Sequence, residues 1–131
     1  MERRVVITGI GTYSCLGENT QEVLESLRLG RSGIIYDESR KEFGYRSCLT
    51  GFVKEPDLKP YLSRRDRLGM HEPAMFAYMS TKDALYQAGL DPDFIEKNET
   101  GIIFGNDSTA ASVVEAIDKV KEKKDTMLIG S

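Results

Sequence analysis

The residues able to do nucleophilic or acid–base chemistry are few in this chain of 131 residues. It has two cysteines, Cys15 and Cys48, and a single histidine, His71. A thiolate nucleophile is activated by a neighbouring cation or imidazole, and a zinc site needs several clustered ligands. His71 stands beside Glu72, and we expect a surface hydrogen bond for it. Because no His, Cys or acidic ligands cluster, we expect no metal site and no cofactor. The two cysteines are expected to be reduced thiols.

Two glycines follow an apolar run near the N-terminus, as Gly9-x-Gly11. Glycines after a strand are typical of dinucleotide-binding proteins, in which the backbone approaches a pyrophosphate at a helix N-terminus. The third glycine of that pattern would fall at Ser14 but comes at Gly17, and no acidic residue closes a second strand at the expected distance. The alternative is that the glycines allow sharp turns and close packing, and the sequence favours this alternative.

Basic residues cluster at two places in a chain whose net charge is −3. Arg64, Arg65 and Arg67 lie on the approach to a predicted helix N-terminus, where the helix dipole disfavours positive charge. The second cluster lies at a predicted helix C-terminus, where positive charge is favourable. Its members are Lys119, Lys121, Lys123 and Lys124. Each cluster is compatible with a solvated face or with a local surface for an anionic partner, whereas the acidic balance excludes a general attraction for nucleic acid.

The composition is that of a soluble globular protein, with 40% hydrophobic and 30% charged residues. The length favours one domain. No run approaches the ~20 apolar residues of a membrane span. The first four residues lead directly into a predicted strand, without the apolar region of a secretory signal. We therefore expect a cytoplasmic protein.

Two continuous apolar runs, residues 5–9 and 101–105, predict strands buried on both faces, as in α/β layers with helices above and below. Residues 34–61 are polar and irregular, with a short strand predicted near residues 51–53. Doubly buried strands need neighbours on their edges and helices on both faces. The sequence therefore predicts part of a larger layered α/β protein, with a small complete α/β domain as the alternative.

Capping residues mark the predicted helices. Asn19, with Glu22 three residues later, begins the first helix, and Gly30 ends it. A long helix has Pro73 in its first turn and ends at Gly89. The remaining helices are a short turn capped by Asp91 and a last helix over residues 110–123.

Three blocks of the sequence together resemble the N-terminus of the β-ketoacyl-acyl carrier protein synthases, the condensing enzymes of fatty-acid and polyketide synthesis. Residues 64–90 resemble the family's first long helix, and residues 100–105 resemble its next core strand. The first and most specific block runs from residue 5 to residue 34. It contains Val5-Val6-Ile7-Thr8-Gly9-Ile10-Gly11, then Ser14-Cys15-Leu16-Gly17, then Arg28-Leu29-Gly30-Arg31-Ser32-Gly33-Ile34. The resemblance implies an α/β fold, the N-terminal part of the thiolase-like layered α-β-α-β-α architecture, in a homodimer.

Members of this family catalyse decarboxylative Claisen condensation of an acyl thioester with malonyl-acyl carrier protein. That chemistry needs a thiolate, two imidazoles and an oxyanion hole. The family's nucleophile position lies beyond Ser131, and neither Cys15 nor Cys48 matches it. The resemblance thus predicts that residues 1–131 are an incomplete N-terminal β-ketoacyl synthase domain that holds no catalytic residue and is inactive alone.

The resemblance also implies two binding surfaces. In the family, basic residues in the regions of the two clusters dock the strongly acidic acyl carrier protein. Arg64 and Arg65 match those positions, Arg67 is displaced by one, and Lys121, Lys123 and Lys124 align approximately. The turn Asn106-Asp107-Ser108-Thr109 corresponds to the border of the acyl-chain pocket. Its polar residues depart from the family's glycines and apolar gate, which argues against a long alkyl substrate; an N-cap for the last helix is the alternative.

Three hypotheses follow for function. The first is the N-terminal portion of a condensing enzyme, contributing scaffold, pocket wall and part of the docking face. The second is a non-catalytic module that binds carrier protein or pairs with a synthase. The third is a nucleotide-dependent enzyme that uses the turn at Gly9 and Gly11.

Overall fold

The computed structural model describes residues 4–106 and 110–126, in which six helices and a two-stranded sheet form. In chain order the elements are α1 (Thr20–Arg28), β1 (Ile34–Tyr36), α2 (Ser39–Glu42), β2 (Leu49–Gly51), α3 (Arg64–Arg67), α4 (Glu72–Ala88), α5 (Pro92–Lys97) and α6 (Ala110–Lys123). The described residues form two compact units. The first unit lies within the ranges Met1–Lys54 and Tyr78–Glu99, and the second lies within Glu55–Ala77 and Thr100–Ser131. Within the described ranges, every helix is too short or too polar to cross a membrane.

The predicted capping residues begin and end the helices as expected. The Asn19 side chain accepts a hydrogen bond from the Glu22 backbone N–H at 3.0 Å, and the Glu22 carboxylate accepts one from the Glu18 N–H at 2.8 Å. Gly30 and Gly89 follow α1 and α4 with φ angles of +62° and +69°. Such angles strain any residue with a Cβ, so glycine stops both helices at these points.

The glycine pair near the N-terminus packs directly on α4 in the first unit. A Cβ atom at Gly9 would overlap the backbone carbonyl oxygen of Ala84, and one at Gly11 would overlap that of Ser80. The Gln87 side chain accepts a hydrogen bond from the backbone N–H between the two glycines, at 2.6 Å. The space beside both glycines is therefore filled by α4, as the close-packing interpretation requires.

A carboxylate of α4 holds the start of α1. Asp83 accepts hydrogen bonds from the backbone N–H of Thr20 at 2.8 Å and from the Thr20 hydroxyl. The backbone of Thr12 donates a further one. Partial burial raises the pKa of Asp83, but these hydrogen bonds outweigh it, so the pKa falls below its ordinary value. Two segments far apart in sequence are joined by this one side chain.

A short antiparallel hairpin follows α1 in the first unit. Ile34 lies opposite Gly51, and Tyr36 lies opposite Leu49. Its second strand covers residues 49–51 rather than the predicted 51–53, and its first strand was not predicted. The hairpin packs on Cys15, whose Sγ would lie 3.2 Å from a Cβ at Gly51.

The two strands predicted as the buried core are not formed in this chain. Residues 5–9 and 101–105 have no regular secondary structure, and Val5, Ile7 and Ile103 are 96%, 84% and 97% exposed. A strand exists by pairing with a neighbour, and neither run has a paired neighbour among the described residues. The prediction of two doubly buried strands is therefore not met within the described residues, where both runs are unpaired and exposed. The helices and the small sheet are consistent with an α/β fold.

The stretch of residues 64–90, which resembles the family's first long helix, contains two separate helices in the structure. The Ser63 side chain accepts a hydrogen bond from the Asp66 N–H at 3.3 Å, which caps a separate short helix, α3. The long helix α4 begins at Glu72 and has Pro73 in its first turn, as predicted; the His71 carbonyl accepts hydrogen bonds from the N–H groups of Ala74 and Met75. The three arginines therefore precede α4, as predicted, but they form a short helix of their own, which was not predicted.

Replacing Gly11 by alanine should lower stability strongly, because the new Cβ would overlap the Ser80 carbonyl oxygen and force the segment off α4. We expect a loss of about 2 kcal/mol or more in the free energy of unfolding. Gly101→Ala is the matched control, since a Cβ there meets nothing within 4 Å. Chemical denaturation of the protein would measure both, and equal losses for the two variants would contradict the close contact.

Replacing Asp83 by asparagine should destabilise the protein by about 1 kcal/mol at neutral pH, because the charged cap of α1 is lost. A carboxylate with a lowered folded-state pKa stabilises the fold above its unfolded pKa and loses that contribution as the pH falls through the folded value. The difference between the parent and Asp83→Asn should thus vanish in acid. Asp118→Asn on exposed α6 is the control. A difference that does not shrink as the pH falls below ~4, the ordinary value of an aspartate, would contradict this assignment.

Candidate functional site

The arginine cluster occupies α3 of the second unit. Ser63 caps this helix and donates its hydroxyl to the Asp66 carboxylate at 2.6 Å. Arg64 and Arg65 are exposed, and the structure gives neither of them an ion pair within the described ranges. Both guanidinium groups are thus available to an anionic partner.

Arg67 differs from the two preceding arginines in its surroundings. It is partly buried, and its Nε donates a hydrogen bond to the backbone carbonyl of Leu62 at 3.3 Å. It also lines a cavity of about 410 Å³ together with Pro56, Leu58 and Met75. The guanidinium group of Arg67 therefore makes contacts within the second unit, which its residue type alone does not predict.

The lysine cluster lies on α6 and just after it. Lys119 is paired with Glu115 one helical turn earlier, with 3.2 Å between the charged atoms. Lys121, Lys123 and Lys124 are exposed beside the last turn, where positive charge interacts favourably with the helix dipole. Lys124 leaves the helix with a φ of +52°. Three of the four lysines are consequently presented where the helix ends.

The single histidine, His71, lies at the start of α4 and near α6. The His71 carbonyl accepts the first hydrogen bonds of α4, and its Nδ1 lies 3.7 Å from the carboxylate of Glu115. A surface hydrogen bond was predicted for this side chain without a named partner, and its acidic neighbour in the structure is Glu115 of α6. The imidazole also borders an apolar cavity of about 490 Å³ formed by α6, with Val113, Ile117 and Val120 in its wall.

The two cysteines are free thiols with ordinary contacts. Cys15 is half-buried against Gly33 and Gly51 of the first unit. Cys48 lies beside Tyr36, and the hydrogen bond between their side chains raises the pKa of the tyrosine. Across the described residues, no group of three or more His, Cys, Asp and Glu side chains is placed to hold a metal ion.

The predicted pocket border is described in part. Asn106 is exposed and follows the apolar run 101–105. Asp107, Ser108 and Thr109 lie outside the described residues. The helix that this turn precedes, α6, begins at Ala110, as the sequence predicts.

Comparison with known proteins identifies relatives over most of the chain. The sequence model of the family described as "Beta-ketoacyl synthase, N-terminal domain" matches residues 2–131. The 3-oxoacyl-[acyl-carrier-protein] synthase 1 of Escherichia coli (strain K12) is 40% identical over 105 residues, which are 79% of this chain and 26% of that protein. The synthase 1 of Haemophilus influenzae (strain ATCC 51907 / DSM 11121 / KW20 / Rd) is 35% identical over 131 residues, 98% of this chain and 32% of that protein.

A more distant relative is the 3-oxoacyl-[acyl-carrier-protein] synthase 2 of Vibrio harveyi, which is 27% identical over 115 residues, 88% of this chain and 28% of that protein. The chain thus spans between a quarter and a third of the length of these relatives. The alignment with the Haemophilus influenzae synthase covers 98% of the chain and therefore includes Gly9, Gly11, α3 and α4.

Proposed function

The chain belongs to the β-ketoacyl synthase family, and from that membership we propose that it is the N-terminal part of a 3-oxoacyl-[acyl-carrier-protein] synthase in fatty-acid or related biosynthesis. The observation that carries the proposal is the family match along residues 2–131. Membership also gives the chain the thiolase-like α/β fold of this family.

The proposed reaction of the whole protein joins an acyl group to a two-carbon unit. A cysteine thiolate holds the acyl chain as a thioester, and malonyl-acyl carrier protein loses CO₂ to give an enolate. The enolate carbon attacks the acyl carbonyl, and the thiolate leaves as the new C–C bond forms. Two imidazoles and an oxyanion hole stabilise the developing negative charge.

Residues 1–131 hold one histidine, so two imidazoles require residues from elsewhere in the synthase. Cys15 packs on glycines, and Cys48 bonds to Tyr36, so neither thiol has the contacts of an activated nucleophile. The part that we assign to this chain is therefore scaffold, pocket wall and docking surface, without a catalytic residue.

The proposed docking surface consists of the exposed arginines of α3 and the exposed lysines at the end of α6. Arg64 and Arg65 are exposed and lack a recorded intrachain ion pair, which leaves their charges for an acidic partner. Complementary charge accelerates association and fixes orientation, and salt weakens it. The partner that we propose is acyl carrier protein. The lysines that complete the surface are Lys121, Lys123 and Lys124.

We place the border of the acyl pocket at Asn106, Asp107, Ser108 and Thr109. The polar side chains of this turn favour a short or polar acyl group over a long alkyl chain, because burying an unpaired polar group against alkyl carbon is unfavourable.

The exposed apolar runs favour part of a larger assembly over a self-contained binding module. Residues 5–9 and 101–105 carry side chains up to 97% exposed, and a stable module would have to cover them. We propose that these runs are strands of the complete synthase sheet and that the synthase is a cytoplasmic homodimer.

The proposed activity is tested by incubating the protein, as its source cells make it, with acyl- and malonyl-acyl carrier protein. We expect a 3-oxoacyl product and one CO₂ released for each condensation, detected by mass spectrometry. Residues 1–131 produced separately should form none, because one histidine cannot supply two imidazoles. Product from the separate chain, or none from the source protein with its own carrier, would contradict the proposal.

Reversing the charges of Arg64 and Arg65 together, each to glutamate, should weaken binding of carrier protein by the synthase about tenfold at low salt. The effect should shrink at 0.5 M salt, since exposed charges are screened there. Lys41→Glu with Arg46→Glu is the control pair, because it changes the net charge equally at exposed positions of the first unit. Equal weakening by both pairs, measured by calorimetry, would show a general charge effect and no docking site.

A further inference from the structure

The docking arginines stand on a helix that is too short to hold its own orientation. Helix α3 contains four residues, and an isolated helix of one turn is unstable in water. The cap at Ser63 closes the turn, but it does not tie the turn to the rest of the second unit. A contact from α3 to a buried part of the chain is therefore needed to aim Arg64 and Arg65.

The buried part nearest in sequence is the segment before α3. Leu58 is only 4% exposed, and it is the most deeply buried large apolar side chain in the described ranges. Its carbonyl accepts hydrogen bonds from the N–H groups of Tyr61 and Leu62, at 3.0 and 2.9 Å. The position of the Leu62 backbone is thus set by a turn anchored in the packed interior of the second unit.

Arg67 connects α3 to this anchored turn. Its Nε donates to the Leu62 carbonyl at 3.3 Å, and its side chain lies in the cavity shared with Leu58 and Met75. Residues two apart on a helix point about 200° from each other. With Arg67 turned toward Leu62, Arg65 is directed to the opposite face of α3, where it is exposed. Arg64, three residues before Arg67, lies about 60° from it around the helix, and its side chain is exposed at the edge of that contact.

We propose that Arg67 is a positioning residue, which holds α3 against the Leu58 turn so that Arg64 and Arg65 face the carrier protein, and that Arg67 itself does not dock. The inference rests on the proposed docking function. It separates three arginines of identical charge into two that meet the partner and one that aims them. The geometry of the guanidinium is the property that matters at Arg67, because a lysine has no Nε–H donor at that distance along its side chain.

The test compares Arg67→Lys with Arg67→Gln in the protein as its source cells make it. We expect both variants to raise the KM for malonyl-acyl carrier protein about five- to tenfold with kcat within twofold, because both lose the bond to Leu62. The salt dependence should persist, since Arg64 and Arg65 keep their charges. If Arg67→Lys behaves as the parent and only Arg67→Gln is weakened, Arg67 acts through its charge and the proposal is wrong.

A second measurement needs no variant at Arg67. Phenylglyoxal modifies accessible arginines, and the modified sites are found by mass spectrometry of the peptides. Arg64 and Arg65 should react readily and be protected by added carrier protein, whereas Arg67 should react slowly with and without it. Fast reaction at Arg67 that carrier protein blocks would overturn its positioning role. Carrier protein that protects none of the three would instead refute the docking function itself.

Discussion

Two glycines allow the segment before α1 to lie directly against the backbone of α4, and the rest of the first unit depends on this contact. At Gly9 and Gly11, the neighbouring atoms are the carbonyl oxygens of Ala84 and Ser80, so no side chain fits between the two backbones. With the backbones this close, the side chain of Asp83 reaches the start of α1 at Thr20. Thr20 and Asp83 are 63 residues apart in sequence, so α4 holds both the segment with the two glycines and the start of α1.

The local parts of the fold could be predicted from the sequence, because their causes are local. Asn19 and Asp91 cap helices through bonds to residues three positions later, and Gly89 stops α4 by its backbone angle. The strand at residues 34–36 and the separate helix α3 were missed. Pairing of Ile34 with Gly51 depends on contact between segments distant in sequence, and the one-turn helix α3 lies in a stretch that resembles a single long helix. The strands at residues 5–9 and 101–105 were predicted from a burial pattern, and neither run is paired among the described residues.

At the candidate site too, the residue types could be predicted from the sequence, whereas their contacts could not. The sequence identifies Arg64, Arg65 and Arg67 as equivalent basic residues, but a carbonyl at Leu62 and the cavity beside Leu58 distinguish the third from the other two. Glu115 has two neighbours of this kind. Its ion pair with Lys119 follows from their spacing of four residues on one helix, whereas its approach to His71 could not be predicted from sequence spacing. Under the proposed function, the exposed positive charge of Arg64 and Arg65 on α3 meets an acidic carrier protein.

The central claim is that this chain is one part of a condensing enzyme whose exposed apolar runs are covered by the rest of that enzyme. Amide hydrogen exchange at residues 4–10 and 101–106 tests it most directly, measured in the source protein and in residues 1–131 alone, with α4 as an internal reference. The account predicts exchange slowed by about a hundredfold or more at both runs in the source protein, as for strands inside a sheet, and fast exchange in the separate chain. Equally fast exchange in both proteins would contradict it, because the two runs would then remain unpaired in the complete enzyme.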